Sequence, residues 1–434
     1  MKKIFALFLV AFLLSTPAYA GIALIRDAEI EKTLRDYSTP IFEAAGLNPD
    51  SIKIYLVNDK SLNAFVAGGM NLFINTGLIT QSDDANMLIG VIAHETGHIS
   101  GGHIIKRGNE LEGLSMQTAL SAILGAAVTV AGLPDAGMAI ITGGQHVAER
   151  GFLQYSRSQE VAADQSGLKY LKQTRQSAKG LLKLMQILRR DHTLNYDVVD
   201  PYAISHPLTQ ERVAHIRSYV EDEKDVVNDK FEMAHKRMVA KLDGFMDKPQ
   251  LTMQKYSDES IPSIYARSIA YYLQSDADNA LAEVDKLLAQ EPDDPFFNEF
   301  KGQILFENGH IDESIGYYNK ALAGYPDSAI FQFELGKIHL AANNLDEAID
   351  YLNKAAASDT KNDQTWRLLA TAYGKKNNTG MLNLTLAEEA NILGKKDEAL
   401  NYAKIAKQAL EDNSAGWVRA NDLISEIKYG KAKE

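Results

Sequence analysis

Two histidines four residues apart, with a glutamate directly after the first, stand at His94-Glu95-Thr96-Gly97-His98. On a helix, residues four apart share a face, so both imidazoles can reach one ion. Glu95 projects beside them, where it can hold a water at that ion and take its proton. The apolar residues Leu88, Ile89, Val91 and Ile92 place this helix in a core. The chain contains no cysteine, so a metal site must use histidines and carboxylates. A catalytic zinc needs three protein ligands and an open position. His103 is the tempting third ligand, but the metzincin pattern requires a histidine at position 104, which is Ile104. His103 is therefore expected off the ligand face, as a surface or packing residue.

A better third ligand lies in Glu160-Val161-Ala162-Ala163-Asp164. Glu160 and Asp164 are four apart and share a face. Glu160 can bind the metal while Asp164 receives the free N–H of a ligand histidine, fixing its tautomer. The small Ala162 and Ala163 permit a close helix crossing. Without the HExxH motif this would read as a solvated carboxylate pair. Further on, Ser205-His206-Pro207 is followed by Glu211 and Arg212. His206, held before a proline, could reach the metal or the reacting carbonyl, there to stabilise an oxyanion or to fill the open position. Arg212 could orient a carboxylate or the substrate. A loop histidine and a surface ion pair are the plain alternative.

These side chains need elements to carry them. Asp83 and Asp84 suit the start of the metal helix, opposing its dipole, and Gly108 suits its end. Ser156 and Gln159 form a capping box for a helix over 156–173. A third helix is expected over 180–190. Before them, 25–45 reads as an amphipathic helix and 51–57 alternates like a strand. Residues 63–66 and 71–74 read as two more strands about the turn at Ala67-Gly68-Gly69, and 76–80 closes the sheet.

The C-terminal part repeats with a period of 34, as at Gly302 and Gly336, Pro292 and Pro326, and Ala321 and Ala355. Trp366, Leu369 and Tyr373 open a further unit, and a final helix pair over 382–393 and 397–410 falls out of register. This resembles tetratricopeptide repeats, whose helix pairs stack because none buries its apolar face alone. The expected fold is an α+β zinc metallopeptidase domain, mainly helical with a small sheet, followed by an all-α repeat solenoid. Expected boundaries are a signal peptide at 1–20, the metallopeptidase domain at 21–220, a helical connector at 221–260 and the repeats at 261–430.

Lys2 and Lys3, an apolar run over 4–14 and Ala18-Tyr19-Ala20 form a cleavable export signal. Export without cysteines leaves stability to packing and metal. The net charge of −12 makes nucleic acid an unsuitable partner. Residues 113–134 carry no charge, and a second apolar patch follows at 138–142. They read as a buried or lid-like helical hairpin, with membrane-surface contact through 113–142 as the alternative.

HExxH, then ExxxD some sixty residues on, then Ser-His-Pro followed by an arginine, is similar to the gluzincin family of CAAX prenyl proteases and HtpX-type membrane proteases. Asn63-Ala64-Phe65, Asn71-Leu72-Phe73-Ile74 and Gly77-Leu78 look like that family's edge strand, which could pair with an extended peptide. The signal, the lack of clear spanning helices and the repeat tail narrow the resemblance to a periplasmic, repeat-bearing branch.

The resemblance implies one Zn²⁺ per chain, quality control of outer-membrane barrel proteins as substrates, and contact with their assembly machinery through the repeats. It also implies that His206 is a fourth ligand that must move aside. The expected mechanism has zinc on His94, His98 and Glu160, Glu95 as base and acid, and His206 or Arg212 at the oxyanion. Two rivals stay open: a non-proteolytic periplasmic scaffold whose zinc is structural or latched, and a membrane-surface protease working through 113–142.

Overall fold

The computed structural model describes residues 23–103, 157–194, 202, 206–221, 223 and 229–430. The expected signal at 1–20, the apolar stretch at 113–142 and the capping residue Ser156 lie outside these residues. Among the described residues, no helix is long and apolar enough to cross a membrane. The chain divides into two compact units, Leu34–Glu232 with the preceding strand, and Met233–Glu434 together with Arg26–Thr33.

In the first unit, β1 (Leu24–Ile25), β2 (Lys53–Val57), β3 (Ala64–Ala67) and β4 (Asn71–Asn75) form one sheet in the order β1-β2-β4-β3. β2 and β4 run parallel, with Lys53 opposite Asn71 and Val57 opposite Asn75. β3 folds back antiparallel to β4, Phe65 opposite Phe73, and forms one edge of the sheet. Their rings stack with centroids 5.0 Å apart. Helix α1 (Ala28–Ala44) precedes the main strands. Residues 76–80, expected to close the sheet, instead form the short helix α2 (Thr76–Gln81). Gly77 makes this possible, since a Cβ there would lie 2.1 Å from the carbonyl oxygen of Lys60.

Helix α3 (Ala85–Ser100) is capped by Asp84, whose carboxylate accepts from the amide of Met87. It ends eight residues before the expected Gly108, at Gly101 and the left-handed Gly102 (φ 63°). Two helices cross α3: α4 (Arg157–Thr174) and α5 (Lys179–Leu194). α6 (Gln210–Val220) packs on α4 and α5, with Thr209 as its N-cap.

The crossings are made at glycine. A Cβ on Gly97 would lie 2.5 Å from the carbonyl oxygen of Ala163, and one on Gly90 would lie 2.8 Å from the amide nitrogen of Leu181. Of the two alanines expected at the crossing, Ala163 is buried in it, but Ala162 faces solvent; Gly167, against Ala93, does the second half of the work. Gly97→Ala is therefore expected to force α3 and α4 apart and to cost about 1–3 kcal/mol, read by urea unfolding. Metal affinity should fall with it, because Glu160 moves with α4.

The second unit begins with α7 (Asp229–Met246), most of which belongs to it, and α8 (Pro249–Lys255). Four helix pairs follow, with first helices α9 (Ile261–Leu273), α11 (Pro295–Glu307), α13 (Ala329–Ala341) and α15 (Asp363–Lys375). The second helices are α10 (Ala277–Gln290), α12 (Ile311–Gly324), α14 (Leu345–Ser358) and α16 (Thr379–Ile392). Every start is spaced by 34 residues.

The period is written in caps. Ser260, Asp294, Ser328 and Asn362 each accept amide hydrogen bonds at a first-helix N-terminus. The turn within each pair passes through a left-handed residue at Ser275, Gly309, Asn343 and Asn377. The turns between pairs are braced at one equivalent position by three different donors. Asn298, Gln332 and Trp366 donate to the carbonyls of Pro292, Pro326 and Thr360 at 3.0, 3.0 and 3.3 Å.

α16 completes the unit that Trp366 opens. It does not begin the out-of-register pair, as the sequence suggested. That pair is α17 (Lys396–Ala409) with α18 (Ala415–Tyr429), a helix the sequence reading did not reach.

Candidate metal centre

His94 projects from the buried second half of α3 and His98 from its last turn, while Glu160 and Asp164 project from the N-terminal half of α4. All four are at most 1% exposed, as is His206. One ligand atom from each of His94, His98, Glu160 and His206 lies within 4.8 Å of all the others. The separations that involve His94 or Glu160 run from 3.1 to 3.5 Å. Nε2 of His94 is 3.2 Å from Nε2 of His98 and 3.2 Å from Nδ1 of His206. Oε1 of Glu160 is 3.1 Å from Nε2 of His98 and 3.1 Å from Nδ1 of His206, and Oε2 is 3.5 Å from Nε2 of His94.

Bonds of about 2.0–2.1 Å around a tetrahedral ion set donor–donor edges near 3.3 Å. The donor set thus fits a four-coordinate divalent ion of borderline character. Imidazole lone pairs brought together at such separations repel unless a ring proton or a metal cation lies between them.

The outer nitrogens are held from behind. Nδ1 of His94 lies 2.8 Å from Oδ1 of Asp164. Nδ1 of His98 lies 3.1 Å from Nδ1 of His103. His103 is accordingly neither a surface residue nor a member of the central cluster: it is buried and backs a clustered imidazole. The sign in the sequence was its position five residues after His98, where the chain leaves α3 and folds back through Gly102. The structure also adds Tyr202, buried and stacked under the His206 ring at 4.4 Å, while its carbonyl accepts the amide of His206 at 2.7 Å. Its position four residues before His206 was the available signal.

Arg212 points at the carboxylates. Nε and Nη2 donate to Asp164 at 2.6 and 2.9 Å. Nη1 lies 2.7 Å from Oε2 of Glu160 and donates to the carbonyl of Pro207 at 2.8 Å. These contacts suit the orienting of a carboxylate, one of the three roles expected for it beside orienting the substrate and stabilising the oxyanion. Glu211, its neighbour, is exposed.

Glu95 differs from its neighbours. Neither of its carboxylate oxygens has a hydrogen-bond partner, although both are buried, and Nε2 of His206 stands 3.4 Å from Oε1. Burial raises the Glu95 pKa above the usual carboxylate range, against the pull of the His206 and His94 charges. Burial would raise Glu160 too, but the His206, His94 and His98 imidazoles together hold it far below that range. Burial pushes His98 down to about 3, leaving it neutral, whereas Asp164 and Glu160 outweigh burial and push His94 up to about 10. The pocket therefore favours added positive charge beside Glu160, as a metal ion would supply, and leaves Glu95 as its unsatisfied acid.

A helix-borne HExxH, a glutamate from a second helix and a buried carboxylate without a partner define the peptidase class of HExxH proteins. Residues 25–220 match the model of peptidase family M48, and residues 301–363 match the tetratricopeptide repeat. The chain carries an M48 peptidase domain followed by tetratricopeptide repeats.

It is 24% identical over 288 residues to the beta-barrel assembly-enhancing protease of Yersinia pestis, covering 64% of this chain and 58% of that one. With the Escherichia coli K12 protein of the same name it shares 22% over 302 residues, 67% of this chain and 61% of the relative. Metalloprotease LoiP of Escherichia coli K12 is 28% identical over 194 residues, 41% of this chain and 68% of that one. The chain thus spans little more than half the length of the two assembly-enhancing proteases it matches.

Proposed function

We propose that this protein is a zinc-dependent metalloendopeptidase of the bacterial periplasm. Its substrates are misfolded or stalled outer-membrane proteins, and its repeats recruit substrate or assembly machinery. The observation that carries the reading is the buried four-donor cluster with the unpartnered Glu95 beside it. The substrate class rests on the names of the two assembly-enhancing relatives, and the location on the export signal.

His94, His98 and Glu160 would hold the ion, with Asp164 and His103 fixing the imidazoles. Bound Zn²⁺ supplies Lewis-acid polarisation of water and of the scissile carbonyl. A Glu95 oxygen accepts the proton of the attacking water and returns it to the leaving amine as the C–N bond breaks. Arg212 is a positioning residue, clamping Asp164 and Glu160. β3, at the sheet edge, offers main-chain groups to an extended substrate.

His206 completes the donor set, so it acts as a latch on the position the water must take. This fourth donor also favours the rival reading, a scaffold with a closed structural site, because structural zinc is usually held by four protein ligands. One assay separates them. With an unfolded barrel protein as substrate, His206→Ala is expected to raise turnover severalfold while zinc stays bound. No cleavage by either form, with help to barrel assembly retained, would leave the scaffold.

A further inference from the structure

Residues 26–33 lie at the start of the chain, yet they pack with the repeats. Glu29 and Lys32 are spaced three apart on the first turns of α1, and Arg26 lies in the residues just before it. Each meets a different part of the second unit. The Arg26 guanidinium pairs with Asp359. The Lys32 ammonium stands over the Tyr325 ring, 5.7 Å from its centroid. Glu29, 3% exposed, is held by three donors: Arg237 at 2.7 Å, the Tyr265 hydroxyl at 2.9 Å and Lys241 at 3.4 Å. Lys241 also reaches Asp27 at 2.7 Å. Ala28 fits between these polar contacts, against Ala321 and Phe331.

The receiving side follows the repeat. Glu291, Tyr325 and Asp359 are the C-cap residues of α10, α12 and α14, 34 residues apart. Glu291 holds Arg237 at 3.1 Å, Tyr325 faces Lys32 and Asp359 takes Arg26. The row of turns between repeats is therefore a ledge with one reading position per unit. Arg237 is pinned on it by Glu291, Asp294 and the Phe297 ring, whose centroid is 4.1 Å from Cζ, so the cation is positioned by the repeats themselves.

We propose that this ledge is a peptide-binding site for a short helix of the pattern basic-x-small-acidic-x-x-basic, and that Arg26–Thr33 is its occupant in cis. The central carboxylate is the selected feature, because the nearly buried cations Arg237 and Lys241 both converge on it. A cis segment is present at a high effective concentration, so a free peptide cannot displace it. The inference does not depend on the peptidase reading.

The test uses the full chain and a fluorescent peptide of residues 24–36, read by anisotropy. In the E29K chain the cis segment carries a lysine toward two cations and should leave the ledge. The wild-type peptide is then expected to bind E29K saturably, about tenfold or more tighter than it binds the wild-type chain. The same peptide carrying E29K should bind neither. Equal binding to both chains, or no binding to an E29K chain whose circular dichroism matches wild type, overturns the proposal. If E29K does not fold, the isosteric E29Q chain is read in the same way, with about a threefold difference expected; equal binding there overturns the proposal too.

Discussion

Glu95→Gln is expected to lower peptide hydrolysis by about 10²–10⁴-fold, the usual share of a general base, while bound metal stays stoichiometric. The amide keeps the size of the carboxylate, so the helix crossing and the four ligands should stand. What it removes is an acceptor that can take a proton. The native site has arranged for this acceptor at some cost: a buried carboxylate with neither oxygen hydrogen-bonded is unfavourable, and it persists where a reacting group completes it. A stability gain in Glu95→Gln alongside the loss of activity is the expected companion result, since a neutral amide is easier to bury. Zinc content by elemental analysis and turnover of an unfolded barrel protein are the two measurements. Activity near wild type would overturn the role given to Glu95.

The second large effect is expected at Arg212. Replacing it with methionine keeps much of the volume but leaves Asp164 and Glu160 without their shared cation. Both carboxylates are buried, and breaking a buried pair from one side costs about 3–5 kcal/mol. Metal affinity should fall about 10–100-fold, the usual result of losing an outer partner. Added zinc should recover part of the stability, because an ion that binds only the folded state shifts the equilibrium toward it. Arg212→Lys should rescue poorly. An ammonium cannot make the two parallel bonds to Asp164 and also reach Glu160 and the Pro207 carbonyl. Unfolding curves with and without zinc decide the matter. A variant as stable as wild type would show that the clamp is ornamental.

The metal helix was legible because its information is local. Spacing of four puts His94 and His98 on one face whatever surrounds them, and Asp84 caps the helix through an amide three residues away. The repeats were legible for the same reason: a cap at 260, 294, 328 and 362 and a left-handed turn 15 residues later recur within each unit. Glu160 could be read because its partner Asp164 shares its face, although only the neighbouring motif made that pair more than a surface feature.

Other things were not written locally. That Gly97 and Gly167, more than Ala162, set the approach of α4 depends on which faces meet. The turn of Arg212 toward two carboxylates, and the backing of His98 by His103, are choices among many partners that spacing does not rank. The two ends of α1 show the same limit: its periodicity marks a helix over 25–45, but nothing in that pattern says that its first turns belong with residues more than 200 positions away.

The HExxH motif, the carboxylate pair, the histidine before a proline and the 34-residue period were thus determined by the sequence itself, because each rests on contacts within a few residues. The tertiary structure decided that four donors close on one point with the buried Glu95 beside it, and that residues 26–33 pack with the repeats. Those outcomes depend on burial and charge pairing between segments far apart in sequence, where a residue's partner is set by the packing of whole helices.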